Sequence, residues 1–120
     1  VFFHLWFVTK YRRPVLSKDI EQRLIAITRE IAQRKGYNIL EIGPNRDHLH
    51  ILLEIEQRQK LPSVVRTIKA VTAKKIREET PHLRVGNAFW ARRYGYKEVK
   101  AGGQNTVRKY IREQKKIPHT

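Results

Sequence analysis

The sequence predicts an α+β fold: an antiparallel sheet carrying two helices on one face, with an extra helix at the C-terminus. Three observations predict it. Segments with the two-residue period of strands and segments with helical period follow one another in the order β-α-β-β-α-β. The turn signal Gly43-Pro44-Asn45-Arg46 is short enough to imply a hairpin between antiparallel neighbours. A last, basic helical segment follows the flexible pair Gly102-Gly103. With 120 residues, no internal repeat and no long linker, residues 1–120 are expected to form a single domain around one core.

Each element has a local cause. Residues 1–9 (VFFHLWFVT) have the aromatic and β-branched composition of a buried strand. Alternation puts Phe2, His4, Trp6 and Val8 on one face and Phe3, Leu5 and Phe7 on the other. Arg13-Pro14 breaks this pattern. Ser17 is the expected N-cap of a helix running to about Lys35, with Ile20, Leu24, Ile27 and Ile31 as its apolar stripe and Gly36 as its stop. Residues 37–42 form a second strand and 47–56 a third. Pro62 opens a helix over 61–79, where its missing N–H costs nothing. Leu61, Val64, Val65, Ile68, Val71 and Ile76 face inward, and Pro81 ends the helix. Residues 88–99 read as one or two short strands, a late hairpin holding Trp90. The last helix spans roughly 105–116, with Asn105 as its cap. The order is the ferredoxin-like split βαβ pattern, which leaves one sheet face free of the two main helices.

Charge narrows the partners. The chain has 26 Lys and Arg against 11 Asp and Glu, a net +15, so a polyanion leads the list. The excess sits late: residues 61–120 carry 15 bases and 4 acids, residues 1–60 carry 11 and 7. Without cysteine there is no disulfide framework, no thiolate zinc site and no cysteine nucleophile, which suits a reducing cytoplasm. The longest apolar run is too short for a membrane span, and the basic residues Lys10, Arg12 and Arg13 follow it, the reverse of a signal peptide. The chain lacks an initiator methionine, so a few residues are expected to precede Val1.

Two constellations can carry chemistry. His48 and His50 lie two apart in the third strand, hence on one face, with Leu49, Ile51, Leu53 and Ile55 on the other. Two imidazoles so spaced can share one divalent metal; two ordinary surface histidines would give the same pattern. Tyr110 and Gln114, four apart, share one face of the last helix. Tyr110 is a candidate nucleophile and Gln114 a candidate oxygen ligand, although a tyrosine beside Val107 and Ile111 can equally be a packing residue. Arg108, Lys109, Arg112, Lys115 and Lys116 surround the tyrosine with charge that favours a phosphate.

Together the two constellations are far more specific than either alone. The His-hydrophobic-His strand and the Tyr110-Ile111-Arg112-Glu113-Gln114 helix, with the opening strand running into Lys10-Tyr11-Arg12-Arg13-Pro14, resemble the HUH endonucleases. More narrowly, the chain resembles the single-tyrosine transposases of the insertion sequence 200/605 family over nearly its whole length. That resemblance implies a DNA transposase that nicks and rejoins single-stranded DNA at hairpin-bearing element ends. It implies that His48, His50 and Gln114 bind Mg²⁺ or Mn²⁺, and that Tyr110 attacks the scissile phosphate to form a 5′-phosphotyrosine. It also implies a cytoplasmic, nucleoid-associated homodimer, in which the Tyr110 helix of many members completes the partner's site; the choice between cis and trans stays open here. The chemistry is consistent: free tyrosine, with a pKa near ~10, is a poor nucleophile at neutral pH, and a metal reduces the activation it needs.

Arg12, Arg13, Arg66, Lys69, Lys74, Arg92, Arg93, Arg108, Lys109 and Arg112 are the candidate DNA contacts; Trp90, Tyr94 and Tyr96 are candidate stacking residues, although aromatics in a small sheet are more often core. His82 and His119 read as incidental rather than as ligands, and His4 as a partly buried, hydrogen-bonded histidine. The runner-up function is a non-catalytic single-strand-binding module of the same fold, which would show aromatics on its central strands; the third strand has none. A carboxylate-based two-metal nuclease is weaker still, because Asp47, Glu54 and Glu56 form no constellation.

Overall fold

A computed structural model describes residues 1–83 and 88–114. The elements are β1 (Phe2–Thr9), α1 (Lys18–Lys35), β2 (Asn38–Asn45), β3 (His48–Glu54), α2 (Leu61–Glu79), β4 (Trp90–Val99) and α3 (Gln104–Glu113). The sheet order is β2-β3-β1-β4 and every pairing is antiparallel, the split βαβ arrangement that the sequence predicts.

The first helix forms as expected. Ser17 Oγ accepts from Ile20 N at 3.4 Å, and Gly36 takes the left-handed conformation (φ 80°) that closes the C-terminus. The stripe Ile20, Leu24, Ile27 and Ile31 packs with Leu61, Val64, Val65, Ile68 and Ile76 of α2 against Phe3, Leu5, Phe7, Leu49, Ile51 and Leu53 of the sheet. Each fully buried side chain of this size contributes about 1.5–3 kcal/mol of hydrophobic transfer. This burial is what forces the odd residues of β1 and β3 to one face and their histidines to the other. Val71 is only half-buried; Thr72 takes the inward position instead. Its hydroxyl donates to Ile68 O at 2.6 Å and accepts from Trp90 Nε1 at 3.0 Å, so the polar atom enters the core satisfied.

Several boundaries differ from the sequence reading. Gly43, Pro44 and Asn45 are strand residues, and the turn shrinks to Arg46-Asp47. Pro44 is tolerated because β2 is an edge strand, where half the N–H groups need no ladder partner. Arg46, not a glycine, takes the left-handed turn conformation (φ 55°). Residues 90–99 are one continuous edge strand rather than a hairpin, antiparallel to β1. At α3 the N-cap is Gly103, not Asn105, with no side-chain cap, and Gln104 Oε1 accepts from Gly102 N at 2.8 Å. Lys115, Lys116 and His119 lie outside the described residues. The second sheet face is not wholly free: α3 crosses it over β2 and β3. No helix among the described residues is long and apolar enough to cross a membrane.

Candidate active site

The site is built on β3, whose alternation turns His48 and His50 away from the core that holds Leu49, Ile51 and Leu53. Neighbouring β1 adds two rings to the same face. Its register pairs Trp6 with His50 and His4 with Leu52. His4 Nε2 lies 2.9 Å from His50 Nδ1, so His4 is the partly buried, hydrogen-bonded histidine expected, and its partner belongs to the constellation. The alternation of β1 already put His4 on this face; what the sequence lacked was the strand order that seats β1 beside β3.

Helix α3 brings the tyrosine. The Tyr110 ring centroid is 5.8 Å from that of His50 and 5.9 Å from that of His4, and its side chain remains half-exposed. Ile111, not Tyr110, fills the apolar contact with the sheet. It docks on Gly43, the register partner of His50: a Cβ there would meet Ile111 Cγ2 at 2.6 Å and Ile111 O at 3.1 Å. A glycine that reads as turn punctuation in the sequence is thus the seat of the tyrosine helix. Arg108 and Arg112 tie the same helix to Glu41 of β2, at 3.4 and 3.0 Å. Gln114 is buried, and its Nε2 donates to Gly43 O at 3.2 Å.

The donor set suits a divalent cation. His48 Nδ1 lies against the Asp47 carboxylate, which also accepts from Arg12 Nε at 3.3 Å. His50 Nδ1 faces His4. In the tautomer where His50 Nδ1 donates to His4 Nε2, His50 Nε2 keeps the lone pair that a metal needs, as does His48 Nε2 when its Nδ1–H meets Asp47. Burial, and after it the charge of Lys97, hold His4 below its ordinary pKa, which favours the neutral ring able to accept. The bond to Gly43 uses the amide nitrogen of Gln114, so Oε1 is not spent on it. Among the described residues no group of three His, Cys, Asp or Glu side chains could hold a metal ion by itself.

The surrounding groove, about 590 Å³, is lined by His4, Trp6, Val8, Arg12, His48, His50, Lys97 and Tyr110. Arg12 and Lys97 give it positive charge. Tyr11 and Arg12 both take left-handed conformations (φ 60° and 51°), turning the chain sharply after β1. Lys10 and Arg13 each lie 5.4 Å from the Tyr11 ring centroid.

The other candidate contacts divide between faces. Arg108, Lys109 and Arg112 belong to α3, beside the site. Arg66, Lys69 and Arg92 line a separate groove of about 440 Å³ between α2 and β4, on the helix-bearing side. Lys69 Nζ is occupied there by Ala91 O and Arg92 O at 2.7 and 3.1 Å, so it fastens α2 to β4. Lys74 and Arg93 are exposed. Trp90, Tyr94 and Tyr96 also fall on the helix side: Trp90 is core, and Tyr94 and Tyr96 pair with Phe7 and Leu5 of β1. Of the strand aromatics, Trp6 lines the groove on the histidine face.

Residues 1–114 match the model of the family described as "Transposase IS200 like". The chain belongs to the IS200-like transposase family. It is 29% identical to the ISDra2 transposase TnpA of Deinococcus radiodurans over 115 residues, spanning 93% of this chain and 82% of that protein. It is 29% identical to the transposase for insertion sequence element IS200 of Salmonella typhimurium over 117 residues, 93% and 75% of the two chains. A crystal structure of a candidate transposase from D. radiodurans R1 superposes with a TM-score of 0.78 at 27% identity, covering 95% of this chain and 90% of that one. The REP-associated tyrosine transposase solved bound to a REP hairpin shares the fold at a TM-score of 0.68 and 14% identity, over 93% of this chain and 64% of that one. This IS200-like transposase therefore has the fold its sequence predicts and belongs to the family it resembles.

Proposed function

We propose that this transposase nicks and rejoins single-stranded DNA at hairpin-bearing element ends through a 5′-phosphotyrosine on Tyr110. The observation that carries the reading is the approach of Tyr110 to His50 and His4 across two elements far apart in sequence. A half-exposed tyrosine over a paired-histidine strand, in a cationic groove, has the parts for phosphoryl transfer and few features of a packing residue. Tyr110 Oη attacks the phosphorus, the bond to O3′ breaks, and the 3′-oxygen leaves as a hydroxyl carrying one proton. The phosphodiester energy stays in the Tyr–O–P bond, so a 3′-hydroxyl of a second strand can reverse the step without ATP.

His48, His50 and Gln114 Oε1 would hold a divalent ion, Mg²⁺ or Mn²⁺. Such an ion, when bound, polarises the phosphate oxygen and offsets charge in the transition state. Asp47 and His4 orient the two ligating rings, and Arg12 and Lys97 attract the backbone. A fold neighbour solved with a REP hairpin supports hairpin DNA as the substrate class. We further propose a homodimer as the working assembly.

The test is incubation with labelled single-stranded hairpin DNA and Mg²⁺. A covalent protein–DNA band is expected, and it should disappear in Tyr110→Phe while hairpin binding stays within about twofold. Nicking by Tyr110→Phe at the unmodified rate would refute the assignment.

A further inference from the structure

Gly95 is the residue of β4 paired with Trp6, and it has no room for a side chain. A Cβ built on it would lie 1.9, 2.0 and 2.3 Å from Cε2, Nε1 and Cζ2 of Trp6. Those atoms surround the point where a side chain would project, so the indole lies across the sheet directly over the glycine. One face of the ring is backed by strand. The ring lines the groove, and α3 docks on β2 and β3. Trp6 is half-buried and belongs to the face opposite the hydrophobic core. His4 adjoins it, with ring centroids 5.1 Å apart, and the same His4 adjoins Tyr110 at 5.9 Å. Arg12 and Lys97 line the groove beside it.

A flat aromatic surface, immobilised from below and open above, with cations alongside, is what an unpaired base stacks on. We propose that Trp6, seated on Gly95, is a stacking platform for one base of the single strand that passes Tyr110, close to the phosphate it attacks. The proposal rests on the reading that single-stranded DNA occupies this groove. Stacking tolerates any base, so the platform sets the position of the strand and not its sequence. The indole and the imidazole of His4 then hold the strand on one side of the tyrosine, and the cations hold its backbone.

The test uses the metal-free protein in chelator, so that binding is read apart from cleavage. The probes are fluorescein-labelled single-stranded oligonucleotides of mixed sequence, intact or with one abasic nucleotide moved along the strand. Trp6→Ala should weaken binding of the intact strand about 5- to 150-fold, the range expected for one stacked base. Trp6→Phe should retain most of the affinity. One abasic position should weaken binding to the unmodified protein and make no difference to Trp6→Ala. Equal affinity of Trp6→Ala and the unmodified protein, or an abasic penalty that persists in Trp6→Ala, would overturn the platform. If Trp6→Ala does not fold, indole fluorescence reads the same contact. The unmodified protein should be quenched by saturating DNA and Trp6→Phe, which keeps only Trp90, should not; an unquenched unmodified protein overturns the proposal. The Tyr110 adduct assay is independent. An adduct without the abasic signature sinks the platform alone, and the abasic signature without an adduct sinks the nicking function alone.

Discussion

The two faces of the sheet use the same strands under opposite rules. On the helix side, Phe3, Leu5, Phe7, Leu49, Ile51 and Leu53 are closed off by α1 and α2, and the polar atom of Thr72 that enters is satisfied on the spot. On the other side the intervening residues His4, Trp6, His48 and His50 line an open groove, and among the described residues the short α3 crosses that face. The close approaches differ too. Gly43 admits Ile111 of α3, and Gly95 admits Trp6. Both glycines serve the open face, where a helix and an indole must come down onto backbone. One face supplies the stability that lets the other hold polar groups around a groove.

The largest effect that tests this division is on the histidines. His48→Ala/His50→Ala should lose metal-dependent cleavage entirely while its thermal midpoint stays close to that of the unmodified protein; full activity in chelator would refute the metal assignment. One position along, Leu49→Ala should do the reverse. It should cost about 2–5 kcal/mol in a urea unfolding experiment, the range for a truncated core leucine, and leave the cleavage rate per folded molecule near normal. A stability loss of that size for the histidine pair would erase the distinction between faces.

Gly43→Val should act between these two, because it pushes α3 off its seat without entering the core. Cleavage should fall on the order of 100-fold, as for a reacting group misplaced by about an ångström, with the main unfolding transition little changed. Unchanged adduct formation would mean that the Ile111 contact does not position Tyr110.

The smallest effect is the pH dependence of His4. Burial first, and Lys97 second, depress its pKa in the folded chain. The unfolded chain therefore binds the proton more readily. The stability linked to neutral His4 is full above the unfolded value of about 6.5 and is lost as pH falls through the folded value. Urea midpoints should drop on acidification through this window, and His4→Asn should flatten that slope. An identical slope in the variant would remove His4 as the source.

Much of the fold was legible because its signals are local. Ser17 and Gly36 bound α1, Pro62 opens α2, and the alternation of Leu49, Ile51 and Leu53 identifies the buried face of β3 without reference to anything distant. The errors fell where a residue type serves two purposes. Gly43-Pro44 has the composition of a turn, and only its place on an edge strand under α3 makes it a strand and a docking site. Trp90, Tyr94 and Tyr96 could by sequence stack on bases or pack in the core, and the register of β4 on β1 decides for the helix side.

The sequence by itself determined that His48 and His50 share a face, because side-chain alternation is a property of any strand. It also determined that Tyr110 and Gln114 share a helix face, and that the chain carries a strong positive field. Only the tertiary structure decided which rings meet them. His4 joins His50, and Trp6 rather than the late aromatics joins the groove, because β1 is seated between β3 and β4. Sequence periodicity records which side of an element a residue occupies; which other element lies on that side is set by strand order and register, and these are settled when the whole core is buried at once.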